Sequence, residues 1–367
     1  MRVRSRRVGG LVLAIAISLF GKYDQVWAQT AAAGAALQVK AVNVYAGNGA
    51  KKIALGKLPY FSGGDVATAV NDFIYIRAVE TLAPAAYQAN WRHEAADPED
   101  KQTYSYELYH QDARVLSLVI NHDTCAAYCN SDATVINLDL RNAREIRLSD
   151  LLSQRRQDEI ALQGQKKILA KLKSLRDQYD DDSAREALAD CEKSWRSEKP
   201  GLNDFRFTKK SIKITMGSCS VPHALQVLNA EAQIDYELPY ASLSADLSAY
   251  GKSLLQGAAL PADYNASSPW GGRVLKGSLA TMPITMLLDH FPYPANSGKV
   301  KFSGWYFYDK FKKPIRLEGV VDKERIELHE KSEKGEAAAK FTLSANAEQL
   351  QGEWLGKKSF EVKLQGK

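Results

Sequence analysis

Three histidine–carboxylate neighbours, His122-Asp123, Asp289-His290 and His329-Glu330, have the side-chain types that general acid–base chemistry uses. Each pair is adjacent along a strand-like segment, and adjacent strand residues point to opposite faces. None is a ready-made dyad, and exposed or locally bonded polar residues are the plainer reading. Ser218 and Ser220 flank Cys219 without the G-x-S-x-G elbow that presents a nucleophilic serine. Gly63-Gly64 and Gly271-Gly272 lack the lysine and helix context of a phosphate loop. No H-x-x-x-H spacing occurs either. The chain therefore reads as a non-enzyme, with no cofactor and no metal.

The four cysteines, Cys125, Cys129, Cys191 and Cys219, carry redox chemistry instead. A zinc site wants closer cysteine spacing with histidines nearby, and only His122 is close. In an oxidising compartment an even count reads as two disulfides with three connectivities. Cys125–Cys129, a tight local loop, and Cys191–Cys219, tying a helix to the strand after it, is the favoured pairing.

That compartment is written at the start of the chain. Arg2, Arg4, Arg6 and Arg7 precede an apolar run over residues 8–20, and Val26-Trp27-Ala28 supplies small residues for cleavage before Gln29. Residues 1–28 read as a signal peptide, and the mature chain as periplasmic or secreted, without a membrane span. The chain's +6 charge falls to +2 once residues 1–28, with their four arginines, Lys22 and Asp24, are removed. A nearly neutral protein gives no electrostatic case for nucleic acid.

The elements that must position these residues fall into two groups. Strand-like runs at 37–45, 104–110, 114–121 and 134–140 surround a helix that Asp65 is placed to cap, with Val66, Val70, Phe73 and Val79 along one side. Residues 153–195 are helical in two pieces, with acids at 180–182 suited to cap the second. Strands return at 205–207, 212–216 and 225–236, and a helix runs over 241–255. Helices segregated from hairpin-linked strands make an α+β pattern with an antiparallel sheet over about residues 38–256. Residues 257–278 are rich in Gly, Ala, Pro, Ser and Asn and read as a linker. Beyond them, over 279–367, short strands alternate with turn signals, arguing an all-β meander or barrel.

Aromatic residues are the remaining candidates for binding. Trp305, Phe307 and Trp354 are expected to fill a barrel interior or line a ligand cup, with Tyr306 and Tyr308 outside. Tyr104 and Tyr106 share a strand face and form a candidate recognition surface. Lys310, Lys312 and Lys313 read as a solvated hairpin tip.

Three blocks of residues resemble an extracytoplasmic module, that of RsiV-like anti-sigma factors, which also precedes the catalytic domain of some peptidoglycan deacetylases. The first is Pro59-Tyr60-Phe61 with the helix containing Asn71. The second is Leu116-Ser117-Leu118, Asn137-Leu138-Asp139-Leu140 and Leu148-x-Asp150-Leu151-Leu152. The third is Phe205-x-Phe207-Thr208 through Ile214, then Leu238-Pro239-Tyr240 and Leu243. Cys125-Ala-Ala-Tyr-Cys129 stands where the family often has Gly-Gly-Ala-His. The anti-sigma segment and the deacetylase signature have no counterpart. The resemblance implies a binding protein that recognises a lysozyme-type hydrolase or peptidoglycan; a small-ligand carrier using the C-terminal β domain is the alternative.

Overall fold

The structure, a computed structural model, describes residues 36–47, 51–94, 96, 101–125, 129–219, 221–261, 270–294, 300–322, 325–331, 337–345 and 349–366. The signal-peptide reading lies outside these residues. All of them belong to one compact unit, Gly34–Lys367.

The first half is built on a seven-stranded sheet. In chain order its strands are β1 (Gln38–Ala46), β2 (Ile53–Ser62), β3 (Asn90–Arg92), β4 (Lys101–Gln111), β5 (Val115–Cys125), β6 (Cys129–Asp139) and β7 (Arg144–Glu145), and in space they run β3-β1-β2-β4-β5-β6-β7. The sheet is mixed, not wholly antiparallel, because β1–β3 and β2–β4 pair in parallel. The crossover between β2 and β4 is made by α1 (Ala67–Val79) and the segment after it. Where β2 meets β4, a Cβ on Gly56 would lie 2.0 Å from the Tyr104 carbonyl oxygen, so only glycine permits that approach.

Helix α1 departs from its one-sided expectation. Every residue from Ala69 to Ile76 is buried, and the core around it includes Val274, Leu287 and Phe307 from the second half. A helix covered on all sides shows no amphipathic stripe. Its N-cap is Val66, not Asp65, and it ends at Glu80 in the left-handed conformation.

The other face of the sheet, with Val115, belongs to a second core. This core holds α2 (Leu148–Leu151), α3 (Gln154–Gln178), α4 (Asp182–Ser197) and a three-stranded sheet of β8 (Phe205–Phe207), β9 (Ser211–Met216) and β10 (Ile234–Pro239) in the order β10-β9-β8. Asp181 caps α4, accepting from the Ala184 amide at 2.8 Å. The strand expected over 225–236 is largely helix: α5 (Val227–Ala232) precedes β10. Leu228 and Ala232, one turn apart, are buried by it. The closing helix is also divided, into α6 (Tyr240–Leu243) and α7 (Ala249–Gln256), where Ser248 caps the second piece by accepting from the Gly251 amide at 2.9 Å.

The second half is a closed eight-stranded antiparallel barrel: β11 (Val274–Leu279), β12 (Met282–Pro294), β13 (Val300–Tyr308), β14 (Ile315–Asp322), β15 (Arg325–Lys331), β16 (Ala337–Ala345), β17 (Gln349–Leu355) and β18 (Ser359–Gly366), with β18 pairing back to β11. Its first strand begins within the stretch read as linker and ends one residue past it. The interior packs Leu275, Ile284, Met286, Phe302, Tyr306, Leu328, Phe341 and Leu364, among others, with Trp270 against Phe302.

Candidate functional site

Strands β4, β5 and β6 are each eleven residues long, and their far ends run past the core. Burial along β5 falls from complete at Val115–Ile120 to partial at Asn121–Cys125, while Cys129–Ala133 of β6 is exposed. The register is unbroken out to Cys125↔Cys129, and those two residues are joined by a disulfide with Cα atoms 4.0 Å apart. The result is a three-stranded finger locked at its tip. β7 pairs only with Leu138 and Asp139, so the exposed part of β6 has no described strand on its outer side.

The two faces of the finger differ chemically, as strand alternation dictates. On one face the His122 ring stacks on Tyr104 at 4.9 Å. Asp123 points to the other face, where one carboxylate oxygen accepts from Ser131 Oγ at 2.5 Å and the other from Thr103 Oγ1 at 3.4 Å. Asn121 Nδ2 donates to Ser105 Oγ at 3.4 Å on the same side. Further along, Tyr109 donates to Glu107 at 2.7 Å, and the Arg206 guanidinium lies 4.9 Å from its ring centre. This face is a row of hydroxyl, amide and carboxylate groups on a rigid backbone, suited to hydrogen-bonding a polar ligand. Deprotonating Tyr109 is opposed first by its bond to Glu107 and then by burial, so its hydroxyl stays a donor at neutral pH.

The second disulfide, Cys191–Cys219, ties α4 to the segment following β9, and its Cα atoms are 5.5 Å apart. Both pairings favoured by the spacing are present. Among the described residues no cysteine is free.

His329 and Glu330 are likewise separated by strand alternation. His329 meets Glu327 at 3.1 Å, while Glu330 accepts from Tyr306 Oη and Trp354 Nε1, both at 2.6 Å. Asp289 faces the α+β half, 3.0 Å from Arg77, and the side chain of His290 lies outside the described ones. Among the described residues no three His, Cys, Asp or Glu side chains gather as a metal-holding group.

The aromatic candidates are placed differently from expectation. Tyr104 is 5 % exposed and Tyr106 is half-buried against the same core, so the pair does not form an open recognition face. Burial raises the pKa of the Tyr106 hydroxyl. Trp305 and Phe307 point out of the barrel, opposite Leu287 and Thr285, and pack on the core that contains α1. Tyr306 instead faces the interior, where Tyr308 packs too, while Trp354 faces it as expected. The parity is reversed because both sides of β12 and β13 are apolar, one filling the barrel and one covering the sheet domain. The described depression on the barrel, about 320 Å³, is lined by Arg325, Thr342, Leu343, Ser344, Gln351 and Gly352 and touches none of Trp305, Phe307 or Trp354.

Several residues that carry the family resemblance are fasteners. Asn71 bridges both backbone groups of Phe61: its Oδ1 accepts from the amide and its Nδ2 donates to the carbonyl, each at 2.8 Å. Ser117 Oγ donates to Asn137 Oδ1 at 2.7 Å and accepts from the Phe207 amide at 3.0 Å, while Asn137 Nδ2 donates to the Phe205 carbonyl at 2.6 Å. These bonds rivet the large sheet to the small one. Asp139 receives Tyr250 Oη at 2.9 Å and pairs with Arg141 at 2.6 Å.

No helix among the described residues is long and apolar enough to cross a membrane. No family model matches the sequence, and no curated protein matches it. Among solved structures, the chain is similar to a DUF3298 family member from Bacteroides fragilis, at 13 % identity and a TM-score of 0.36, covering 59 % of this chain and 94 % of that one. It is also similar to a DUF3298 family protein from Pseudomonas aeruginosa, at 15 % identity and a TM-score of 0.35, covering 58 % and 94 % respectively.

Proposed function

We propose that this is a non-enzymatic binding protein of the periplasm or the exterior, and that the disulfide-closed finger is its recognition element. Its partner is cell-wall material or a lysozyme-type hydrolase that acts on it. One observation carries the reading: a strand trio extends beyond the core and exposes hydrogen-bonding side chains around Asp123, held rigid by Cys125–Cys129. A strand end that buries little contributes little to stability, and exposed polar groups on a rigid scaffold bind with a small ordering cost. Two disulfides suit an oxidising compartment, as does the N-terminal basic–apolar pattern.

Co-sedimentation with purified sacculi and pull-down with lysozyme test the reading. Retention by one of them, reduced in an Asp123→Ala, Ser131→Ala double variant, is the expected result. Retention by neither overturns it.

A further inference from the structure

In an antiparallel meander successive hairpins alternate between the two ends of the barrel. The β11–β12, β13–β14 and β17–β18 connections therefore share one end. That end carries Lys310, Lys312 and Lys313 in one hairpin and Lys357 and Lys358 in another, all exposed. Among the described residues none of the five makes an ion pair. Of the described acids on these hairpins and their flanking strands, Glu361 pairs with Lys363 at 2.7 Å, while Asp309, Glu330 and Glu353 are held by neutral donors, Thr285 at 2.8 Å, Tyr306 and Trp354, and Ser359 at 3.4 Å, and none of them reaches the five lysines. Residues 332–336, which follow β15 in the sequence and include Glu333, Lys334 and Glu336, lie outside the described residues.

The same end also exposes bulky apolar side chains. Phe311, at the tip between Lys310 and Lys312, is 61 % exposed, Leu355 is 47 % exposed and Met282 is 41 % exposed. They border the β13–β14, β17–β18 and β11–β12 turns respectively. A ring of lysines would by itself fit any anion. Lysines interleaved with protruding apolar side chains fit a layered partner, anionic at its surface and apolar just beneath.

We propose that this end of the barrel docks on an anionic phospholipid surface, with the five lysines meeting headgroup phosphates and Phe311 entering the interfacial layer. The contact is peripheral and reversible, and salt weakens it because the lysines are solvent-exposed. It is independent of the finger: docking by the barrel end leaves the recognition reading untouched, and either can fail alone.

Co-sedimentation of the full mature chain with vesicles of phosphatidylglycerol and phosphatidylcholine, against phosphatidylcholine alone, tests it at low and high salt. Binding to the anionic vesicles alone, lost at high salt, is expected. Lys357→Glu with Lys358→Glu should weaken it about tenfold or more, and Phe311→Ser roughly tenfold. Both variants lie on hairpin tips, and unchanged far-ultraviolet circular dichroism checks their folding. Absence of binding to the anionic vesicles overturns the proposal. So does wild-type affinity in the charge variant. Displacement by soluble polyphosphate together with an inert Phe311→Ser variant overturns it in favour of a soluble anionic polymer.

Discussion

Arg77 of α1 and Asp289 of β12 lie 3.0 Å apart where the sheet domain meets the barrel, and the same guanidinium holds Glu145 at 2.9 Å. Nearby, Lys276 of β11 reaches Asp72 of α1 at 2.7 Å, and the Gly272 carbonyl accepts from the Glu145 amide at 2.6 Å. One cation between two acids, largely removed from water, leaves a carboxylate incompletely compensated. Burial pushes the Asp289 carboxyl up from its usual 3.8 to about 6, despite the opposing pull of Arg77; Glu145 adds to the rise and Arg316 opposes it.

The pH dependence follows with a definite sign. Because the folded pKa is above the unfolded one, the folded state holds the extra proton between about pH 4 and pH 6. Stability therefore falls as pH rises through that window, by on the order of 3 kcal/mol from this group. Asp289→Asn cannot ionise and removes the decline. Urea unfolding at several pH values should show the variant gaining on the wild type from pH 4 to pH 7. A pH-independent difference between the two would contradict the assignment.

The two disulfides should contribute unequally. They span sequence separations of 28 and 4 residues, and the stabilisation from restricting the unfolded chain grows with loop length. Replacing Cys191 and Cys219 by serine is expected to lower the unfolding free energy by about 3–4 kcal/mol, and replacing Cys125 and Cys129 by about 2 kcal/mol or less. Chemical denaturation measures both. The tip variant should nevertheless show the larger loss in sacculus or lysozyme retention, since it loosens the finger without touching the core.

Asn137→Ala is expected to destabilise by about 2–3 kcal/mol, because it strands the Phe205 carbonyl and the Ser117 hydroxyl in a dry interface. Asn137→Asp should cost at least as much, since it replaces the amide donor by a buried charge. Thermal unfolding of both variants, beside an Asn130→Ala control on the exposed finger, is the check. Near-equal melting temperatures for Asn137→Ala and the control would show that the rivet is dispensable.

Much of this architecture is legible in the sequence, and the failures have particular causes. The hairpin of β4 and β5, the two long helices, the Asp181 cap and both cysteine pairings follow from alternation, capping chemistry and spacing, which are local. The parallel pairing of β2 with β4 is not local: it depends on α1 crossing over, and the one residue that marks it, Gly56, looks like any loop glycine. The inward and outward sides of β13 were unreadable for a related reason. Trp305, Tyr306, Phe307 and Tyr308 are all apolar or aromatic because each side of that strand is covered, one by the barrel interior and one by the α1 layer. The finger was half visible. Its cysteines announce a closed loop, but the exposure of Cys129–Ala133 depends on how far β7 reaches, which no pattern in 129–139 encodes.

Closure of the barrel supplies the last prediction. Gly277, Gly304, Gly319 and Gly352 lie on the inward side of their strands, in line with Leu275, Tyr306, Leu317 and Leu350 two residues away, and at Gly304 a Cβ would sit 2.2 Å from the Leu287 carbonyl oxygen and 2.9 Å from the Leu288 Cα. Backbone on an adjacent paired strand cannot swing aside as a flexible side chain can. Gly304→Ala must therefore push β12 and β13 apart, weakening the register from Leu287↔Trp305 to Leu288↔Gly304, at a cost of about 2–3 kcal/mol or more. Because Leu287, Trp305 and Phe307 also cover the α1 layer, the strain passes to the sheet domain. Hydrogen exchange should show loss of protection in β12, β13 and α1 together, with β17 less affected. Protection lost in the barrel alone would mean that the two halves are not coupled through these strands.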